Sequence, residues 1–367
     1  MQPLQGLTVV TLEHAIAAPF CTRQLADLGA RVIKIERPGV GDFARGYDSR
    51  VKGLASHFVW TNRSKESLTL DVKHPQARAL LERLVLEQAD VLVQNLAPGA
   101  AARLGLGWER LSTLKPGLIV CDISGYGEDG PYRDKKAYDL LIQSESGFVS
   151  VTGGADEPAK AGNSIADIAA GMYAYSNILA ALLQRGRTGT GRHIDVSMLE
   201  AMAEWMGYPL YYAFDGATPP PRAGAAHATI YPYGPFPAGD GGTVMLGLQN
   251  EREWVSFCEK VLLQPALATD PRFAGNAKRS AARSALRQII VDSFAALSSA
   301  QVVERLEAAQ IANARVNTMA EVWAHPQLKA RERWREVGSP AGSIPAPQVR
   351  STEFIHSVRP SLWMVCG

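Results

Sequence analysis

One aspartate stands apart in this sequence because of its surroundings. Asp167 is the only charged residue between Gly162 and Gln184. It lies where a loop of small residues meets an apolar stretch that predicts a buried helix from Ile168 onward. Its carboxylate could cap that helix, since Asp is a preferred N-cap residue. It could also be a positioned nucleophile or base, which helix N-terminal amides would keep ionised. The two roles are compatible.

The elements that must position Asp167 predict an α/β domain. Short apolar runs indicate strands over 7–12, 31–36, 68–73, 90–95, 118–124 and 193–197. Helical stretches alternate with them, which predicts a Rossmann-like parallel sheet with helices on both faces. The first turn, from Glu13 to Pro19, lacks the glycines of a dinucleotide cradle. NAD binding is therefore disfavoured.

Polar side chains follow the predicted strands at the points where the strands end. Ligands of parallel sheets bind at the carboxyl ends of the strands, and cations placed there suit a phosphate-bearing ligand. For any one of these residues alone, solvated surface charge is the competing interpretation. Four residues occupy such positions: Arg37, Lys73, Asn95 and Arg103.

Length and composition predict two domains. The chain has 367 residues, more than one typical domain needs. A proline-rich connector over 218–222 marks the predicted boundary. We expect a large α/β domain over 1–217, a smaller α+β domain over 218–318 and a return to the large domain over 319–367. From about Pro347 the sequence has no periodicity, and we expect an atypical, poorly ordered tail.

Composition also disfavours several function classes. The net charge is only +2, so a nucleic-acid partner is not expected. The four cysteines have no CxxC spacing, which indicates neither a metal site nor a disulfide framework. The longest apolar run, 168–183, is shorter than a membrane span, and no signal peptide is visible. We expect a soluble cytoplasmic protein.

Seven ordered motifs together resemble the family III CoA-transferases, the formyl-CoA and carnitine CoA-transferase (CaiB/BaiF) type. The resemblance covers roughly residues 4 to 335, and the order of the motifs is far more specific than any single one. The motifs are Val32–Arg37, Leu70–Lys73, Asn95–Gly99, Ser124–Gly127 with Gly130–Pro131, Tyr138–Asp139, Ala166–Asp167 and Arg187–Gly191.

The resemblance implies a set of site residues and an assembly. Asp167 would be the nucleophile, coenzyme A would be a substrate rather than a tightly bound cofactor, and two chains would form an interlocked homodimer. Residues implied to contact CoA are Arg37, Leu70, Lys73, Asn95, Leu96, Arg103 and Lys136. Residues implied on the acyl and acceptor side are Ile16, where some members carry Gln, together with Tyr138, Asp139, Gly224 and His227.

The implied reaction moves CoA from an acyl-CoA to a carboxylic acid through an anhydride and a thioester formed on Asp167. One alternative of the same fold is an α-methylacyl-CoA racemase, which carries His immediately before the Asp of the earlier motif. Tyr138 occupies that place here. The other alternative is a CoA-binding protein without catalytic activity.

The segment 224–236 bears on the acceptor acid. It lacks the glycine run of the formyl-CoA type and resembles members that act on C4–C5 dicarboxylic acids, such as mesaconate, itaconate, citramalate or malate, with succinyl-CoA as donor. His227 or Arg222 could bind the second carboxylate. His227 could equally be a structural loop histidine. Transfer within one dicarboxylic acid also stays open.

Overall fold

Runs rich in Val, Ile and Thr form several of the strands of the fold. The structure is a computed structural model, and it describes residues 2–348. The predicted tail from residue 349 on lies outside the described residues. The strands are β1 (Thr8–Leu12), β2 (Arg31–Glu36), β3 (Lys65–Thr69), β4 (Val91–Gln94), β5 (Ile119–Ser124), β6 (His193–Ser197), β7 (Tyr233–Pro237), β8 (Thr243–Gly247), β9 (Ala312–Arg315), β10 (Trp334–Ser339) and β11 (Gly342–Pro347).

Helices follow most of the strands and also build the second half of the chain. The α-helices are α1 (Ala17–Asp27), α2 (Ser56–Asn62), α3 (Pro75–Gln88), α4 (Ala100–Arg103), α5 (Trp108–Leu114), α6 (Asp139–Glu145), α7 (Phe148–Val151), α8 (Ile165–Thr188), α9 (Met198–Trp205), α10 (Gly207–Tyr212), α11 (Glu251–Ser256), α12 (Asn276–Ala281), α13 (Arg283–Phe294), α14 (Ser299–Ala308), α15 (Met319–Trp323) and α16 (Pro326–Ala330).

The first six strands form one parallel sheet in the order β3-β2-β1-β4-β5-β6. Successive residues of a strand face opposite sides of the sheet. Val9 and Val93 pack into the core that α1 and α8 cover, whereas Val10 and Leu92 pack into the core on the other side, with α3 and α5. The predicted Rossmann-like parallel sheet with helices on both faces is confirmed.

Helix α8 is apolar because it forms much of one core. Small residues let it approach α1 closely, and a Cβ atom placed on Gly171 would lie 2.7 Å from the carbonyl oxygen of Ala17. The helix ends at Thr188, and the φ of +72° at its C-cap, Gly189, suits glycine. Among the described helices, α8 alone has the length and apolar composition of a membrane span. The core helix of a soluble protein meets the same criteria.

Two local predictions were wrong. The strand predicted over 68–73 is β3, which ends at Thr69, because Asp71 accepts a hydrogen bond from the amide of Lys73 and bends the chain there. Helix α8 begins at Ile165, one turn before the predicted Ile168. Its extra turn is stabilised by a side chain from elsewhere in the sequence.

The chain divides into two compact units. Of the described residues, the first contains 2–148, 161–207 and 327–348; the second contains 149–160 and 208–326. These boundaries differ from the predicted 217/218 and 318/319. Residues 149–160 join the second unit because Arg222 donates to the carbonyl oxygens of Ser150, Gly154 and Ala155.

The second unit has its own core. Strands β7, β8 and β9 form an antiparallel sheet, and helices α11 to α14 supply much of the surrounding core. Trp254, Phe257, Phe273 and Phe294 are almost completely buried in it. In the first unit, β10 and β11 form a hairpin that the sequence did not predict. Lys52 donates to the carbonyl oxygen of Ser343 in that hairpin at 2.8 Å.

Candidate active site

The N-terminus of α8 is capped by a residue of another helix. Asp139, the first residue of α6, accepts hydrogen bonds through Oδ1 from the amides of Ala166 at 2.8 Å and Asp167 at 3.2 Å. Its Oδ2 accepts from Nε2 of Gln143 at 2.6 Å. Asp139 therefore takes the capping role that the sequence had allowed for Asp167.

Asp167 is left with a carboxylate that no nearby cation neutralises. Within residues 2–348 it forms no ion pair, and the one group that favours its ionised form is the backbone amide of Ala17 at the start of α1. Burial raises the pKa of Asp167 to about 7, the negative charge of Asp139 acts in the same direction, and the Ala17 amide opposes both. The expectation that the amides of α8 keep Asp167 ionised was wrong, because two of them bind Asp139.

Another carboxylate, that of Glu13, lies beneath the turn that leads into α1. Glu13 is completely buried, and its Oε1 accepts a hydrogen bond from Nζ of Lys65 at 2.6 Å. Lys34 lies 3.8 Å from the same oxygen. Burial alone would raise the pKa of Glu13, but the ammonium groups of Lys65 and Lys34 outweigh it and lower the pKa. This carboxylate is thus fixed in its ionised form.

The turn before α1 is held by side chains from neighbouring elements. Asn95, just after β4, accepts from the amide of His14 at 2.9 Å and donates to the carbonyl oxygen of His14 at 3.0 Å. Asp42 accepts from the amide of Ala15, whose φ is +59°. Ile16 follows as the residue before α1 and is only 4% exposed. These hydrogen bonds therefore fix the position of Ala17, the first residue of α1, relative to Asp167.

The cations implied to contact CoA are exposed on the first unit. Strands β2, β3 and β4 are linked through parallel pairing, so their carboxyl ends meet at one edge of the sheet. Residues that follow these ends are therefore brought to the same edge. Within the described residues none of the predicted cations forms an ion pair; they are Arg37 after β2, Lys73 after β3, Arg103 in α4 and Lys136 before α6.

The two leucines implied to contact CoA are half-buried at the same sheet edge. Leu70 hydrogen-bonds to the carbonyl oxygen of Glu36 through its amide, and Leu96 to Oε1 of Gln94. Nε2 of Gln94 donates in turn to Asp122, at 2.8 Å. The backbone on which these leucines lie is thus held by the sheet and by a buried acid.

One group of the described residues has the donor set of a metal site. Asp122, Glu128 and His193 bring one ligand atom each within 4.8 Å of one another. His193 already forms a hydrogen bond to Asp122 at 2.8 Å and stacks on Trp108. This group could not be predicted from the sequence, because His193 is 71 residues away from Asp122.

Sequence reasoning also missed Tyr47. Its side chain is 49% exposed, and burial of the rest raises its pKa, with the charges of Asp42 and Asp167 acting in the same direction. Tyr138, at 70% exposure, contributes as well. The hydroxyl of Tyr47 therefore lies in the surroundings of Asp167, and Tyr138 lies near Tyr47. A row of aromatic rings leads away from Tyr47: Phe43 and His14 on one side and His57 on the other.

His227 orders its own loop in the second unit. Its Nδ1 accepts hydrogen bonds from the amides of Thr229 at 3.1 Å and Ile230 at 3.0 Å, and its ring stacks on Tyr233. Gly224, at the start of the loop, has a φ of +61° that suits glycine. These two hydrogen bonds fit the interpretation of His227 as a structural loop histidine, because they occupy its Nδ1 atom.

Comparison with known proteins identifies the class. The model of CoA-transferase family III matches residues 4–360. Succinate–glutarate CoA-transferase of Agrobacterium fabrum is 35% identical over 98% of this chain and 92% of its own length. Acetyl-CoA:oxalate CoA-transferase of Acetobacter aceti is 36% identical, with 90% and 84% covered. Succinyl-CoA–D-citramalate CoA-transferase of Chloroflexus aurantiacus is 33% identical, with 90% and 82% covered.

A solved structure agrees with this result. A CaiB/BaiF family protein from Brucella suis superposes with a TM-score of 0.83 at 35% identity, covering 96% of this chain and 93% of that one. The chain therefore belongs to CoA-transferase family III. It is an enzyme of that class, which uses CoA thioesters as substrates, and the resemblance inferred from the seven motifs is confirmed.

Proposed function

We propose that this enzyme transfers CoA from succinyl-CoA to a C4–C5 dicarboxylic acid. The relatives named for glutarate and for D-citramalate both act on C5 dicarboxylic acids by their names. The segment 224–236 supports the same acceptor class by its resemblance to members of that kind. The observation that carries the mechanism is Asp167, a half-buried carboxylate with no partner cation among the described residues.

The reaction is proposed to run through three covalent states of Asp167: an anhydride with the donor acid, a CoA thioester and an anhydride with the acceptor acid. The ionised carboxylate attacks the thioester carbonyl, the C–S bond breaks, and CoA leaves as a thiolate with a mixed anhydride behind it. The thiolate then attacks the Asp167 carbonyl, which releases succinate and forms an aspartyl-CoA thioester. The acceptor carboxylate repeats the first step on that thioester. CoA thiolate finally takes the acceptor acyl group and restores Asp167.

The geometry favours this role for Asp167 over a second structural one. The capping of α8 is performed by Asp139, so the oxygens of Asp167 are not needed to satisfy the helix. A raised pKa makes the ionised form a stronger nucleophile than an ordinary surface carboxylate. The amide of Ala17 is a candidate donor to the oxyanion that forms at this position.

The racemase alternative has less support. It would need a histidine before Asp139 as the second acid/base group, and the residue there is Tyr138. Both oxygens of Asp139 also accept hydrogen bonds already, two of them from backbone amides. We further propose, from the family resemblance, that the enzyme works in the cytoplasm as an interlocked homodimer.

Trapping of the covalent intermediate tests the mechanism. Hydroxylamine added with succinyl-CoA should modify Asp167 alone, read by peptide mass spectrometry. Asp167→Ala should abolish CoA exchange while binding of CoA, measured by calorimetry, stays near the wild-type value. Ordinary turnover by this variant would contradict the covalent mechanism and leave a CoA-binding role.

An acceptor screen tests the substrate assignment. Succinyl-CoA and acetyl-CoA should each be offered with glutarate, citramalate, mesaconate, itaconate, malate and oxalate, and with monocarboxylic acids as the control. We expect product CoA esters of the C4–C5 dicarboxylic acids with succinyl-CoA as the preferred donor. Products confined to monocarboxylic acids would overturn the assignment.

A further inference from the structure

A cavity of about 570 Å³ opens in the second unit beside the loop that carries His227. Pockets that bind small molecules commonly have volumes of roughly 300–1,000 Å³, so this one has room for a small organic molecule. The lining residues belong to the segments 154–155, 221–228 and 280–283. They all lie within the second unit, so the cavity is a property of that unit alone.

Two arginines give this cavity an uncompensated positive charge. Arg222 and Arg283 both line it, and no Asp or Glu is among the lining residues. Neither arginine forms an ion pair anywhere within the part of the chain that the structure describes. The other lining side chains are mostly Ala, Gly and Pro. The wall thus combines fixed cations with short apolar groups.

Both guanidinium groups are held in place by backbone carbonyls. Arg222 donates to three carbonyl oxygens of the segment 150–155, at 2.8 to 3.3 Å. Arg283, the first residue of α13, donates through Nη2 to the carbonyl oxygens of His227 and Ala228, at 3.0 and 2.9 Å. Its guanidinium also lies 4.9 Å from the ring centre of Tyr231. These contacts fix the cations but leave their charge unbalanced.

Hydrogen-bond donors also remain at the cavity. Within residues 2–348, Nε and Nη1 of Arg283 have no hydrogen-bond partner. A guanidinium that is already immobile binds an oxyanion with little further loss of side-chain entropy. Hydrogen bonds between guanidinium and carboxylate groups are among the stronger ones in proteins.

We propose that this cavity binds the carboxylate group of a small organic acid. Arg283 would donate to the carboxylate, Arg222 would add to the favourable potential, and the Ala, Gly and Pro side chains would contact the carbon chain of the acid. The small apolar groups favour an organic acid over inorganic phosphate. The acid could be the acceptor of the CoA-transfer reaction or an acid that binds independently of it; both share this chemistry.

Direct titration in the absence of acyl-CoA tests the site. Glutarate is the probe, and glutaramide, which has the same carbon chain without charge, is the control ligand. We expect calorimetry to detect glutarate and not glutaramide, and inorganic phosphate to bind more weakly than glutarate. No binding of glutarate at millimolar concentration, or equal binding of glutaramide, would overturn the proposal.

A matched pair of variants tests the charge without disturbing the arginines. Ala155→Glu places a carboxylate in the cavity, whereas Ala155→Gln adds a side chain of the same size without charge. We expect Ala155→Glu to weaken glutarate binding at least tenfold and Ala155→Gln to weaken it little. Equal affinities in the two variants would contradict the proposal. Arg283→Lys against Arg283→Gln gives a second pair that differs in charge, with melting temperatures as the check on folding.

Steady-state kinetics of the same variants identify the source of the acid. If the acid is the reaction's acceptor, Ala155→Glu raises the KM for the acceptor and leaves the KM for acyl-CoA unchanged. If the acid binds apart from the reaction, both KM values stay unchanged while glutarate binding is lost. Either result retains the site and assigns its ligand. Because glutarate binding is measured without acyl-CoA, a failed acceptor screen would not affect the conclusion drawn from the binding measurement.

Discussion

Glu13 and Asp167 are two carboxylates of the same unit with opposite electrostatic surroundings. Glu13 is completely buried and Asp167 is half-buried. Glu13 has two lysines within 4 Å of one oxygen, at 2.6 and 3.8 Å. Asp167 has a second carboxylate, Asp139, nearby and no partner cation among the described residues. The pKa of Glu13 is therefore lowered, and that of Asp167 is raised to about 7.

The difference separates a structural acid from a reactive one. The ionised form of Glu13 is stabilised by fixed cations, so its charge serves to hold the turn before α1 in place. The ionised form of Asp167 is stabilised by little more than one amide, so its charge is available for reaction with an electrophile. Burial alone would raise the pKa of both acids, and Glu13 is the more buried of the two. The opposite directions of the two pKa shifts therefore come from the partner groups.

The largest expected effect concerns the structural acid. Lys65→Met removes the closest cation of Glu13, and we expect it to destabilise the fold by about 3–5 kcal/mol, because a buried charge loses its partner. Thermal denaturation would measure the effect. Lys136→Met is the matched control, since Lys136 is exposed and without an ion pair in the described chain, and its change should stay within about 0.5 kcal/mol. Similar destabilisation by both variants would contradict the comparison.

Replacing the reactive acid, Asp167, should change the free energy of unfolding in the opposite direction. In the folded state the pKa of Asp167 is about 7 against a reference value of 3.8, so the protonated form is favoured by folding. The contribution of Asp167 to the free energy of unfolding is therefore complete below pH 4 and is lost as the pH rises through 7. The Asp167→Asn side chain does not ionise, so the variant does not lose this contribution. We expect it to be more stable than wild type, by a margin that grows from pH 5 to pH 8.

Thermal denaturation at several pH values measures this margin. One pKa unit corresponds to about 1.4 kcal/mol, so the gain at pH 8 should be a few kcal/mol. A margin that shrinks as the pH rises would show that Asp167 is stabilised in its ionised form, as Glu13 is.

A smaller effect follows from the interaction between Asp139 and Asp167. Asp139→Asn removes one negative charge near Asp167 and should lower the pKa of Asp167. The nucleophile must be ionised, so kcat/KM rises with pH through this pKa. We expect the acidic limb of the pH–rate profile to move by about one unit to lower pH. A limb that stays in place would assign the raised pKa to burial alone.

The smallest effects are expected at the exposed cations of the predicted CoA site. Replacing Arg37, Lys73 or Arg103 by Ala should raise the KM for acyl-CoA severalfold and change kcat little, because these residues have no contact with Asp167 in the described structure. A residue that binds the 3′-phosphate should lose less with dephospho-CoA esters as donors. Equal losses with both donors at all three positions would contradict the phosphate assignment.

Local patterns predicted the frame of this site, and non-local contacts supplied its chemistry. The strands around Val9, Val32 and Val91 could be predicted from the sequence because alternation and β-branching are local properties. The position of Asp167 at the start of a helix could be predicted for the same reason. Its ionisation was not, because the cap of α8 comes from Asp139, which is 28 residues away in sequence from Asp167.

The same limit applies to Glu13. Its sequence neighbours give no sign of Lys65, which is 52 residues away. Which amide or ammonium group faces a carboxylate depends on how elements pack, and a single sequence does not encode that in any one window. The reactive and the structural acid therefore look alike in the sequence and differ only in the folded chain.

The close approach of α1 and α8 at Gly171 has a further consequence. The carbonyl oxygen of Ala17 leaves no room for a side chain at position 171, and the amide of the same Ala17 favours the ionised form of Asp167, one turn earlier on α8. The spacing of the two helices and the acidity of the nucleophile are thereby linked through one residue. Any change that moves the two helices apart would weaken the effect of that amide and raise the pKa of Asp167 further. A change in the distance between α1 and α8 would therefore shift the apparent pKa of the pH–rate profile. Kinetic measurements could then detect that change without a structural method.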